Sequence, residues 1–148
     1  MSGKVSPPDA RPSVRLALAA RPENAALARR VIADEASRAG LAGPLTAAAK
    51  VVVTEGFTNA VEATDRDAED RRRVVVQASG DEHGMTIGIR DPDNDYRPRI
   101  AERFRIRGFG LGLIAALATR VELRRLPGGG TEIEVRVGPL PGDGLDPG

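Results

Sequence analysis

The chain has 148 residues, enough for one domain with its own core and too few for two. Its 22 basic and 21 acidic side chains leave a net charge of +1, without the basic excess of a general nucleic-acid binder, so no direct nucleic-acid contact is expected. It has no Cys, one His and only 3% aromatic residues, which excludes disulfides, thiolate chemistry and multi-histidine metal centres and leaves the core to Val, Leu, Ile and Ala.

Residues 1–12, rich in Pro, Ser and charge, read as a disordered tail with no apolar signal-peptide core. No apolar run is long enough for a membrane span, so a cytoplasmic protein without membrane contact is expected. Val14–Ala20 alternates like a strand. Pro22 suits a first helical turn, and Glu23–Ala39 follows as a helix with Leu27, Val31 and Ala28 or Ile32 on one face, stopped by Gly40. Leu41–Pro44 reads as a turn and Leu45–Thr64 as a second helix. Asp65–Arg72 is expected to be a solvated, charged loop. Arg73–Ser79 and Met85–Arg90 read as strands joined by a hairpin, with His83 exposed in its turn. Asp91–Arg107 reads mainly as loop, and a helix runs from Gly108 to about Thr119. Arg120–Leu126 and Thr131–Val137 are closing strands around a turn at Pro127–Gly130, and residues 139–148 form a second disordered tail. The order β-α-α-β-β-loop-α-β-β predicts an α+β fold over residues 13–138, with helices on one face of a mixed, mainly antiparallel sheet.

Three clusters carry chemistry. On the second helix, TEGFTNAVEAT places Glu55 and Asn59 one turn apart at the edge of an apolar arc formed by Leu45, Ala49, Val52, Val53, Gly56, Ala60 and Ala63. Such a pair is satisfied by facing water. It also suits Mg²⁺ on the Asn carbonyl and proton transfer at the Glu carboxylate. At IRDPDND, Asp91 ends a strand, where a carboxylate can accept a hydrogen bond from an exocyclic amine; the same residues are also ordinary turn formers. RGFGLGL, at residues 107–113, opens a helix whose free N–H groups and dipole favour phosphate. It lacks the Lys-Ser/Thr of a Walker loop, and its G-x-G-x-G spacing is not a dinucleotide fingerprint.

Taken together and in this order, the clusters resemble the Bergerat-fold ATP-binding superfamily of gyrase, histidine kinases and anti-sigma factor serine kinases. TEGFTNAVEA is similar to its N box, DPD to its first glycine box, GFGLGL to its second, and GGGT at 128–131 to its last. Small single-domain anti-sigma factor kinases resemble the chain most, over residues 13–138.

The resemblance implies ATP and Mg²⁺ as cofactors. Glu55 would be the general base on an acceptor serine, Asn59 would coordinate Mg²⁺, and Asp91 would bind the adenine amine. Gly108, Gly110 and Gly112 would wrap the phosphates, Thr131 would help hold Asp91, and Arg105 and Arg107 would reach the γ-phosphate. The implied partners are a sigma factor, sequestered by the chain, and an anti-anti-sigma protein, phosphorylated on serine. Relatives commonly dimerise through the sheet side, so a homodimer is also an expectation, with Val14–Ala20 offering an edge or face. The alternatives are a degenerate nucleotide-binding module that holds partners without phosphotransfer, and an activator-type kinase of a stressosome-like scaffold.

The chain departs from the pattern in several places. The first box reads Asp91-Pro92-Asp93 where Asp-x-Gly is usual, Ala63 stands where related kinases often have His, and the Asp91–Gly108 lid is short. Gly56, directly after the expected base, costs about 1 kcal/mol in a helix interior relative to Ala and has no evident role in the sequence alone.

Overall fold

A computed structural model describes residues 12–62, 71–91 and 117–140. Both expected tails, apart from a few residues beside the domain, lie outside this set. So do the loop after Asp91, nearly all of the helix after Gly108, and Ala63.

Strand β1 (Val14–Ala19) leads into helices α1 (Asn24–Ala39) and α2 (Gly43–Glu62), followed by the hairpin β2 (Arg73–Gly80) and β3 (Met85–Asp91). The chain closes with β4 (Arg120–Arg125) and β5 (Thr131–Val137). The five strands lie in the order β1-β2-β3-β5-β4. The fold is α+β, as expected, and every described pairing is antiparallel, so the mixed element of the expectation does not occur among the described strands.

Local chemistry sets the boundaries. Gly40 closes α1 in the left-handed region at φ 78°, and the Leu41 N–H reaches back to the Ala36 carbonyl at 2.9 Å. Helix α2 starts earlier than expected, at Gly43, because Pro44 in a first turn has no N–H to lose. In the β2–β3 turn the Asp81 carboxylate accepts N–H bonds from His83 (2.8 Å) and Gly84 (3.1 Å), and His83 is exposed.

Both helices pack on one face of the sheet. Helix α1 lies against β1 and β2, and α2 against β2, β3 and β5. The inward face of α1 is Ala28, Ile32, Glu35 and Ala36. Leu27, expected on that face, is 42% exposed instead. Helix α2 is covered by α1 on one side and the sheet on another, so its buried surface is wider than the predicted arc and takes in Ala48, Phe57, Asn59 and Val61. Phe57 is wholly buried, which stabilises the fold by roughly 1.5–3 kcal/mol.

Gly56 marks the closest approach of α2 to the sheet. A Cβ there would fall on Cδ1 of Ile89 in β3. Helix propensity alone predicts that Gly56→Ala stabilises by about 1 kcal/mol, whereas overpacking costs about 1–3 kcal/mol. The contact should win: Gly56→Ala lowers Tm, and adding Ile89→Ala recovers part of the loss relative to Ile89→Ala alone. A Tm raised by Gly56→Ala would refute the close contact.

On α1, buried Glu35 is gripped by Arg38 through two hydrogen bonds, at 2.9 and 2.6 Å. These bonds hold its carboxyl below the ordinary glutamate value against the opposing effect of burial. A depressed folded-state value contributes stability above the unfolded value, near 4.5, which is lost as pH falls through the folded value. Glu35→Gln should therefore lose stability at neutral pH and show a shallower decline below about pH 4.5 than the wild type in denaturant titrations. Parallel declines would contradict the assignment.

Candidate functional site

The site forms where the C-terminal half of α2 crosses the ends of β3 and β5. Register brings its parts together. Asp91, the last residue of β3, pairs directly with Thr131, the first residue of β5. By strand alternation both side chains lie on the helix-facing side, in line with Ile89 and Ile133. The start of β5 is fixed by the tight turn before it, in which Gly129 and Gly130 adopt φ of 102° and 93°. That left-handed region is open to Gly at little cost, so the GGG run is what lets the β4–β5 turn close and Thr131 meet Asp91.

The resulting cleft has a polar edge of Asn59, Asp91 and Thr131, which are 1%, 3% and 1% exposed. Its apolar walls are Gly56, Ala60, Ile89 and Ile133. Gly56 thus serves twice: it lets α2 sit down on Ile89, and its bare backbone forms part of the wall. The enclosed volume is about 10 Å³, room for about one water. These residues could supply one side of a ligand site.

Each polar side chain has a defined setting. Asn59 Nδ2 donates to the Glu55 carbonyl, one turn back, at 2.8 Å. The planar amide is thereby oriented. Glu55 does not line the enclosed cleft. It is half-buried one turn before Asn59, and its Oε1 is buried without a hydrogen-bond partner among the described residues. A buried carboxylate oxygen left unpaired destabilises the fold, and such a cost is typical of groups kept for a ligand or a proton.

Asp91 has a partner that the sequence did not reveal. Arg72 Nη2 donates to Asp91 Oδ1 at 2.5 Å, and the two side chains are only 15% and 4% exposed. Arg72 was expected at the end of a solvated loop. Instead it immediately precedes β2, with its carbonyl accepting the Ala20 N–H at 3.1 Å, so its backbone is tied to the sheet. Its only signal in the sequence is its place in the basic run Arg71–Arg73, which does not distinguish it from its neighbours.

Of the predicted site residues, Asn59, Asp91 and Thr131 meet in one cleft and Glu55 stands beside it. Arg105, Arg107, Gly108, Gly110 and Gly112 lie outside the described residues, as does Asp93. Among the described residues, no three His, Cys, Asp or Glu side chains converge as a metal cage. A divalent cation here would take Asn59 Oδ1 as a protein ligand, and the rest of its shell would be phosphate oxygens and water, which suits Mg²⁺. The apolar walls and polar edge suit the faces and edge of a purine, and the orphaned Glu55 oxygen suits a group that brings its own donor. The residues present therefore fit Mg²⁺ and ATP.

No helix among the described residues is long and apolar enough to cross a membrane. No curated protein is similar enough to the chain to match it. The family model of the histidine kinase-like ATPase domain matches residues 18–137, from β1 to the end of β5, and so takes in every element that builds the cleft. With most of its length matched, and with the fold and cleft that go with the match, the chain belongs to the histidine kinase-like ATPase domain family.

Proposed function

We propose that the chain is an ATP-dependent protein serine/threonine kinase that acts as a cytoplasmic anti-sigma factor. It sequesters a sigma factor and phosphorylates an anti-anti-sigma partner on serine. The observation that best supports this reading is the meeting of Asn59, Asp91 and Thr131 in one cleft, with the unpartnered oxygen of Glu55 one helical turn away. Family membership supports ATP as the nucleotide.

In this reading Asp91 accepts a hydrogen bond from the adenine amine, while Ile89 and Ile133 pack on the ring. Thr131, directly across from Asp91, holds that carboxylate in place. Asn59 presents Oδ1 to Mg²⁺. Arg105, Arg107, Gly108, Gly110 and Gly112 hold the phosphates. Glu55 orients the serine hydroxyl of the acceptor and takes its proton. ATP supplies the γ-phosphoryl group, so the bond to the β-phosphate oxygen breaks, the serine oxygen gains phosphate, and ADP leaves.

A second reading is a module of the same family that binds nucleotide and partner without phosphotransfer. The Asp91-Pro92-Asp93 sequence favours it, because Asp93 adds a side chain and a charge where glycine normally lies against adenine.

Glu55→Ala separates the two readings. Under the kinase reading it lowers phosphotransfer to a serine-bearing acceptor by about 10²–10⁴-fold, the usual worth of a general base. The ATP dissociation constant should stay near the wild-type value, and Tm should not fall, because an unpaired buried oxygen is removed. Normal transfer by Glu55→Ala would sink the base assignment. No transfer by the wild type despite ATP binding would favour the second reading. Asn59→Ala should remove the Mg²⁺-dependent part of ATP affinity and lower stability by about 1 kcal/mol through the lost bond to the Glu55 carbonyl. Affinity unchanged in its Mg²⁺ dependence would contradict the metal assignment.

A further inference from the structure

We propose that Arg72 is a positioning residue of this nucleotide site: it clamps Asp91 so that the carboxylate meets the purine edge in one orientation, and thereby sets the preference for adenine over guanine. The inference rests on the proposed reading of the cleft as a nucleotide site. Arg72 Nη2 donates to one carboxylate oxygen, Oδ1, at 2.5 Å, and the Arg72 Nε is buried without a hydrogen-bond partner among the described residues. The contact is therefore one-armed. A two-armed fork would engage both carboxylate oxygens through two parallel N–H bonds. Through this bond Arg72 holds one carboxylate oxygen and so restrains the rotation of the carboxyl group.

Two roles are open to such a pair. Arg72 could be a stopper that nucleotide must displace, or a clamp that stays. Burial decides between them. Both partners are largely shielded from water, at 15% and 4% exposure. Separating a buried pair leaves a charge uncompensated, and one hydrogen bond from a neutral amine returns less than that loss. The pair therefore persists, and the base adds to it. Arg72 is also well anchored for the task, because its carbonyl is bonded to Ala20 and β2 begins at the next residue.

Specificity follows from the chemistry of the edges. A fixed carboxylate oxygen accepts from an exocyclic amine and repels a carbonyl oxygen. Adenine presents the amine at that edge and guanine the carbonyl. An unclamped Asp91 could rotate away from the carbonyl and would discriminate less.

The test is titration of the full chain with ATP and with GTP, both with Mg²⁺, for the wild type, Arg72→Met and Arg72→Lys. Arg72→Met should bind ATP at least about tenfold more weakly, with the ATP-to-GTP affinity ratio falling toward one. Arg72→Lys should restore a substantial part of that ratio. Arg72→Met binding ATP as well as the wild type with the ratio unchanged, or binding it more tightly, would overturn the clamp. Should Arg72→Met not fold, the wild type alone suffices: the arginine N–H resonances of Arg72 should stay protected from exchange when ATP is added. Their loss would show displacement and overturn the proposal. A wild type that binds no nucleotide would sink the reading of the cleft itself, and this inference with it, whereas wild-type ATP binding with an indifferent Arg72→Met removes only the clamp.

Discussion

The structure depends on the approach of one helix to one strand. Gly56 leaves α2 without a side chain where Ile89 of β3 presses against it. Because the helix lies this low, the next turn carries Asn59 into the sheet and leaves it 1% exposed. An amide at that depth meets the strand ends that hold Asp91 and Thr131. A larger residue at position 56 would have to displace the Ile89 side chain, which is one wall of the cleft. The helix-propensity cost of Gly56 is thus offset by the geometry it permits.

A second constraint comes from the sheet. Asp91 and Thr131 are far apart in sequence and become direct neighbours only through the β3–β5 register. That register holds one alternating set, from Ile87 and Ile89 to Val135 and Ile133, against the helices. A shift by one residue would turn the whole set outward. The opposite face is held differently. Glu132 is 3% exposed although it points away from the helices, and Arg90 and Arg124 each donate to it at 2.9 Å. The polar end of the cleft therefore sits on a sheet pinned on one face by apolar packing and on the other by ion pairs.

Much of this was legible in the sequence because it is local. The closing strand Thr131–Val137, the helix stop at Gly40 and the Asp81–Gly84 turn follow from short-range chemistry, and each stands as expected. The order of the described elements and the α+β class also followed from pattern. Leu27 was misplaced because periodicity marks an apolar stripe without saying which edge of it meets the sheet. Phe57 and Asn59 proved buried because α2 is covered from two sides, which no single-face reading of a helix anticipates. For the site, the spacing of Glu55 and Asn59 was visible, and so was Asp91 at a strand end. Arg72 was not, because its partner is 19 residues away and nothing local separates it from a solvated loop. Gly56 showed a cost in sequence and its reason only in space.

The proposed occupant of the cleft between α2 and the β3–β5 ends is Mg²⁺–ATP. The most direct test is a calorimetric titration of the full chain with ATP, in Mg²⁺ and again with the cation chelated. Saturable binding is expected, weakening when Mg²⁺ is removed and lost in Asp91→Ala. No binding at millimolar ATP, or binding that survives Asp91→Ala unchanged, would contradict it.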